Sequence, residues 1–92
     1  MAFEWDPAKA KTNFRNHGVR FEEAAPVFDD PYAISIADHE ADPSEERFVG
    51  IGMGALGRVL VVVYTYRGDN LRIISARLAA AHERAEYEAG LP

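Results

Sequence analysis

Val59-Leu60-Val61-Val62-Val63-Tyr64-Thr65-Tyr66, then Arg67-Gly68-Asp69-Asn70, then Leu71-Arg72-Ile73-Ile74-Ser75-Ala76-Arg77, is the stretch that decides the fold. The first run is β-branched and aromatic, and apolar at both parities. Such a run reads as a strand covered on both faces, so it belongs at the centre of a sheet. Arg-Gly-Asp-Asn is turn chemistry, and it makes the next run an antiparallel partner. Within that partner, alternation puts Arg72, Ile74 and Ala76 on one face and Leu71, Ile73, Ser75 and Arg77 on the other. A regular strand therefore sends its two arginines to opposite faces. One site that uses both needs a distortion near Ser75–Arg77. Otherwise one arginine meets a ligand and the other holds the fold.

Working outward, Glu46 to Met53 reads as another strand, with Gly50, Gly52 and Gly54 loosening its end. Gly50-x-Gly52-x-Gly54 lacks the lysine and the following helix of a phosphate loop, so a hairpin is the better reading. Tyr32 to Ala37 alternates weakly as a strand, and residues 2 to 5 suit a short edge strand. Asp6-Pro7 opens a helix with an N-cap and a proline at the first helical position. That helix runs to about Asn16, and His17-Gly18 stops it. Phe21, Ala24, Ala25 and Phe28 have helical spacing, with Pro26 bending or shortening the segment. Ala79 to Ala89 is a helix rich in Ala and Glu. The expected fold is α+β: an antiparallel sheet of three to five strands, two N-terminal helices, a C-terminal helix, and helices largely on one face.

The chain has 92 residues, which suits a single domain over 1–92. With 48% hydrophobic residues it can bury one modest core. It contains no cysteine, which excludes disulfides, thiolate zinc sites and a cysteine nucleophile. Met1 to Asp6 does not read as a signal peptide, and the apolar run 59–64 is too short to span a bilayer. A soluble, cytoplasmic protein without a membrane partner is the expectation. Net charge is -5, but it is unevenly spread. Residues 22–46 hold nine acids and no lysine or arginine; residues 47–77 hold five arginines and one acid, Asp69. A basic sheet on an acidic body attracts phosphate locally, because salt confines charge effects to roughly 10 Å.

The residues that assemble into chemistry are Glu46, Arg47, Arg72, Arg77 and the aromatics Tyr64 and Tyr66. RNA is cleaved without metal when its 2′-hydroxyl attacks the adjacent phosphate. That reaction needs a proton acceptor, a proton donor for the leaving oxygen, and cations for the developing charge. Guanidinium groups fork onto phosphate, a carboxylate such as Glu46 accepts a proton, and an aromatic stacks a base. The same residues are equally compatible with surface ion pairs and hydrogen-bonded tyrosines.

Phe3-Glu4-Trp5-Asp6-Pro7-Ala8-Lys9, His17-Gly18-Val19 with Phe21-Glu22-Glu23-Ala24, Glu45-Glu46-Arg47-Phe48, Arg72-Ile73-Ile74-Ser75-Ala76-Arg77, and the tail Glu83-Arg84 with Tyr87-Glu88 resemble the BrnT toxin family. The resemblance runs from Phe3 to about Glu88. It implies a RelE-like fold and a type II toxin–antitoxin endoribonuclease that is metal-independent, takes no cofactor and inhibits translation. The implied partners are RNA and a BrnA-like antitoxin with a ribbon-helix-helix domain. Operator DNA is reached only through that antitoxin, and the complex suits a dimer. The site residues it implies are Glu46, Arg72 and Arg77 for catalysis, and Lys9 and Arg47 for RNA, joined by Tyr64 and Arg67. Family members often carry a more basic stretch where this chain has Leu78-Ala79-Ala80-Ala81-His82. A partner-binding module of the same fold, weak or inactive in catalysis, is therefore the competing reading.

Other features have quieter explanations. His17 suits a helix C-cap, and its chemistry also suits a general base. His39-x-x-Asp42, with His82 remote in sequence, is a poor metal pattern. Trp5 suits a core or interface. Glu83, Glu86 and Glu88 suit a solvated helix face, with Glu83 able to pair with Arg77 or Arg84. The acidic span 38–46 suits a solvated loop, or a dock for a basic antitoxin segment.

Overall fold

A computed structural model describes residues 2–38 and 46–92. His39, Asp42 and most of the expected acidic loop lie outside these residues. Helix α1, Pro7–His17, begins where Asp6 accepts the Ala8 N–H at 2.9 Å. It ends at Gly18, whose φ of 68° is cheap only for glycine, and whose N–H reaches Phe14 O at 2.8 Å. Helix α2 is only Phe21–Ala24, followed by a 3₁₀ turn over Ala25–Asp29. Pro26 removes an amide donor, so the expected helix to Phe28 splits there.

The strands are β1 (Phe3–Glu4), β2 (Ile34–Ala37), β3 (Phe48–Met53), β4 (Val59–Arg67) and β5 (Asn70–Leu78), and helix α3 is Ala81–Ala89. They form one sheet in the order β1-β5-β4-β3-β2, with the doubly apolar β4 in the middle. β2 through β5 pair antiparallel; β1 adds to β5 in parallel, which makes the five-stranded sheet mixed.

Two apolar layers flank this sheet. α1, α2 and the 3₁₀ turn cover one face over Val19, Phe21, Val27, Leu60, Val62, Tyr64, Leu71, Ile73 and Ala76. α3 covers the opposite face through Tyr87 on Ile51 and Val61. The expectation of helices largely on one face is thus corrected for α3, whose Tyr87 is its one buried residue. Full burial of a Leu, Ile or Phe contributes about 1.5–3 kcal/mol, so the first layer carries most of the stability. The glycine-rich end of β3 serves packing. A Cβ on Gly54 would stand 2.6 Å from Leu60 Cδ1 and 2.7 Å from Glu23 O.

β5 contains a bulge. Val63 pairs with Ser75 and Tyr64 with Ile73, so Ile74 is an extra residue. Burial records the consequence: Leu71 and Ile73 face the first layer, and so does Ala76. Inward positions switch from odd to even. Arg72 lies opposite Thr65 and Arg77 opposite Val61, four residues apart on β4. Both arginines are therefore on the α3 face. The distortion expected near Ser75–Arg77 exists, centred one residue earlier.

The outer edge of β5 past Arg72 is closed by a side chain. β1 pairs only with Leu71 and Arg72. Further on, Asn13 of α1 donates to Ala76 O at 2.8 Å and accepts from Ala76 N at 3.0 Å, while also donating to Val19 O at 2.9 Å. Asn13 is buried, and its amide is satisfied on both sides.

Candidate functional site

The α3 face of the sheet has a covered end and an open end. Tyr87, Ile51, Val61, Val59 and Ala79 fill the covered end. At the open end, among the described residues, Ile36 is 61% exposed and Val63 is partly exposed, while Val49 packs against the covered end.

A polar row crosses the strands at the open end. The Asp38 N–H donates to Arg47 O, and Phe48 pairs with Tyr64, so Arg47 continues the register to Thr65. Thr65 pairs with Arg72, and Arg72 with Glu4. Arg47 and Arg72 flank the middle strand, about 10 Å apart at two strand spacings. The Thr65 hydroxyl donates to the Glu46 carbonyl, which pins the start of β3 to β4. Arg67 stands at the end of β4, close enough to Glu4 to lower its pKa.

Glu4 is the carboxylate of this row. It accepts from Asn70 at 3.2 Å and from Arg72 Nη1 at 3.1 Å. The hydrogen bond from Asn70, then that from Arg72, holds its carboxyl below the ordinary glutamate value, which makes it a poor base. Sequence reasoning did not single it out. The only signal was the match of Phe3-Glu4 to the family pattern; its role depends on β1 joining β5 in parallel.

Arg77 is differently placed. It lies about 13 Å down the strand from Arg72, at ~3.3 Å per residue. It makes a two-pronged pair with Glu83 of α3, Nη1–Oε1 2.7 Å and Nη2–Oε2 2.8 Å. Glu83 Oε1 also accepts the Ala80 N–H at 2.8 Å, which satisfies an open amide at the helix start. The Arg77 hydrogen bonds outweigh burial and bring the Glu83 carboxyl down to about 2. Glu83, expected on a solvated face or paired with Arg77 or Arg84, pairs with Arg77 and anchors α3.

A second anchor holds α3 further along. Tyr87 OH donates to Asp30 Oδ2 at 2.6 Å, and Asp30 also accepts the N–H groups of Met53 and Tyr32, each at 2.9 Å. Burial pushes the Asp30 carboxyl up, but these three hydrogen bonds bring it below its ordinary value. The hydrogen bond to Asp30 pushes the Tyr87 phenol up to about 12.

The other expected residues do not join the row. Tyr64 is on the opposite face, 5% exposed, with its ring against Phe28, Phe48 and Tyr66 and its hydroxyl bonded to Ser35. It has no ring face to give a base, which corrects its reading as an RNA contact. Tyr66 is on the same face and half-exposed. Lys9 is exposed on α1, beside a depression it shares with the bulged Ile74. Glu46 is exposed, one residue before Arg47 and outside the strand. No group of His, Cys, Asp and Glu among the described residues is arranged to hold a metal. No helix among them is long and apolar enough to cross a membrane.

Among the described residues, the geometry thus joins Arg47, Arg67 and Arg72 at the end of the sheet face that α3 leaves uncovered. Guanidinium groups on both sides of a strand suit an extended polyanion. Comparison with known proteins bears on which. The chain is similar to the crystal structure of the Brucella abortus ribonuclease toxin BrnT, with a TM-score of 0.68 and 26% identity over 87% of this chain and 97% of that one. No curated protein matches it. Residues 5–83 match the family model for BrnT, the ribonuclease toxin of type II toxin–antitoxin systems. The chain therefore belongs to the BrnT family of ribonuclease toxins.

Proposed function

We propose that this toxin cleaves RNA without a metal, by attack of a 2′-hydroxyl on the adjacent phosphate, on the open end of the α3 face. The observation that carries this reading is the row Arg47–Thr65–Arg72, two guanidinium-bearing strands either side of the sheet's centre. Arg72 and Arg47 hold the non-bridging phosphate oxygens and stabilise the charge of the five-coordinate state. Arg67 contacts a neighbouring phosphate. Glu46 takes the 2′-hydroxyl proton. It is preferred over Glu4 because Glu4 is held ionised by Asn70 and Arg72. The bond from phosphorus to the 5′ oxygen breaks, that oxygen takes a proton from water, and a 2′,3′-cyclic phosphate and a 5′-hydroxyl remain. Arg77 positions α3 through Glu83 and does not reach the phosphate. The loss of translatable RNA inhibits translation. A BrnA-like ribbon-helix-helix antitoxin neutralises the toxin and carries any contact with operator DNA.

The test is cleavage of a defined RNA in EDTA, with the new ends identified. Cyclic phosphate ends, lost with Arg72→Ala and with Glu46→Gln, support the reading. Full activity in Arg72→Ala removes it. The competing reading is an inert module that only binds its antitoxin. It is favoured by the pairing of Arg72 and Arg77 with carboxylates. Growth arrest in cells lacking the antitoxin, abolished by Arg72→Ala, excludes that alternative.

A further inference from the structure

We propose that α1 and the start of α2 form a second surface for single-stranded RNA, centred on Lys11, Phe14, Arg15 and Arg20, that holds the substrate outside the cleavage site. This rests on the reading of the protein as a ribonuclease acting at the Arg72 row.

The charge distribution is the first observation. Residues 7–21 hold Lys9, Lys11, Arg15 and Arg20 and no acid, in a chain whose net charge is -5. Both lysines of the protein are among them. Elsewhere four of the six arginines meet carboxylates within the fold: Arg58 with Glu23, Arg72 with Glu4, Arg77 with Glu83 and Arg84 with Glu88. Among the described residues no carboxylate lies within ion-pair distance of the four cations of 7–21, and all four are exposed. Lys11 and Arg15 are four apart on one side of the helix, where like charges repel. An anionic ligand relieves that repulsion.

The second observation is local shape. Lys11, Phe14, Arg15, Arg20 and Glu22 border a depression of about 480 Å³. Phe14 is 42% exposed in spite of its size. The Arg20 guanidinium lies 4.2 Å from the centre of its ring. A guanidinium over an aromatic ring makes a cationic and aromatic surface on which a base can rest. Exposed cations around an exposed aromatic are the usual equipment for single-stranded RNA. An acidic protein segment needs the cations but has no use for the stack.

The third observation is continuity. β1 covers only Leu71 and Arg72 of the β5 edge. Beyond it, Lys9 and His17 of α1 border the depression at Ile74. RNA leaving Arg72 along this edge meets Lys9 and His17 of α1. The protein measures 35 × 27 × 25 Å. An RNA of about 20 nucleotides, longer than the roughly 4–16 nucleotides that a small binding domain covers, is long enough to span the molecule, and a trinucleotide is not.

The test uses the full chain with Lys11, Arg15 and Arg20 together changed to alanine, its fold checked by thermal melting. Fluorescence anisotropy follows binding of a 2′-O-methylated RNA of about 20 nucleotides over a range of salt. Cleavage of a trinucleotide is measured alongside. The expected result is a loss of tenfold or more in affinity for the long RNA. The slope of log affinity against log salt should also fall by about 0.7 for each phosphate that the variant no longer neutralises. Trinucleotide cleavage should stay within twofold. Unchanged long-RNA affinity and salt slope, in a protein whose binding still depends on Arg72, overturns the second surface and leaves the cleavage site standing. Unchanged RNA affinity with abolished antitoxin binding also overturns it, and assigns the patch to a protein partner. Failure of the unaltered toxin to bind either RNA overturns the ribonuclease reading itself.

Discussion

The two ends of one sheet face carry the same side chain to different ends. Arg72 and Arg77 share a strand and a face, and each meets a glutamate. Arg72 makes a single 3.1 Å contact with Glu4, and the two side chains are 25% and 32% exposed. Arg77 makes two short contacts with Glu83, which is 15% exposed and also caps α3. The first pair rests on one hydrogen bond, although the Arg77 side chain, at 43%, is the more exposed of the two arginines. The second is built into the packing of a helix. An arginine next to an acid says little by itself; the number of hydrogen bonds and the element on the other side decide its role.

The strongest way to break the comparison is to delete Ile74. Without the bulge, residues after it change face, Ala76 leaves the core and Arg77 is driven into it. The cost should exceed the marginal stability of a small domain, commonly about 5–15 kcal/mol, and circular dichroism should show no cooperative melt. Next in size is Arg72→Ala, which should lower RNA cleavage by about 10²–10³-fold while shifting stability by less than about 1 kcal/mol, checked by urea denaturation. Glu83→Gln should do the reverse. Loss of its charged hydrogen bonds should cost about 2 kcal/mol in urea denaturation, and cleavage well below the melting temperature should fall less than tenfold.

Acid probes the same contrast. Glu83 is lowered to about 2 in the folded protein, from an ordinary 4.5. Its contribution is present above about 4.5 and fades as pH falls toward 2, because the unfolded chain binds the proton first. Asp30 is shifted in the same direction. The urea midpoint should therefore drop between pH 5 and 3, and drop less in Glu83→Gln. The smallest effect is expected from Glu4→Gln. Freed of its carboxylate, Arg72 should bind RNA about two- to threefold more tightly at low salt, measured by anisotropy.

Much of this architecture was legible in the sequence. Asp6-Pro7 and His17-Gly18 bound α1, and the doubly apolar 59–66 run marks the central strand. The parity of Arg72 and Arg77 demanded either a distortion or a division of labour, and the strand has the distortion. The position of the bulge was not legible. Ile73 and Ile74 are alike in chemistry, and only pairing with Val63 and Tyr64 tells which is extra. Residue type groups Tyr64 with Arg72, although Leu60, Val62 and Tyr64 alternate onto the other face. α3 gave little warning of its side, because its Ala- and Glu-rich sequence buries one tyrosine and relies on Arg77 and Asp30 for attachment. Partners separated by 57 and 68 residues, Asp30 with Tyr87 and Glu4 with Arg72, are set by topology and not by local spacing.

Asn13 has a consequence for how copies of this toxin behave toward one another. An uncovered strand edge offers donors and acceptors in the rhythm that another strand needs, and chains with such edges tend to stack. At Ala76 that rhythm is already answered by a carboxamide, which presents one donor and one acceptor as a strand residue does. Beyond the end of β1, the β5 edge is closed at Ala76 by a side chain where a longer strand would otherwise pair. A neighbour seeking to extend it must first evict an amide that is also tied to Val19. One polar residue on a helix therefore occupies, at this edge of the most apolar hairpin, the pairing groups another strand would use.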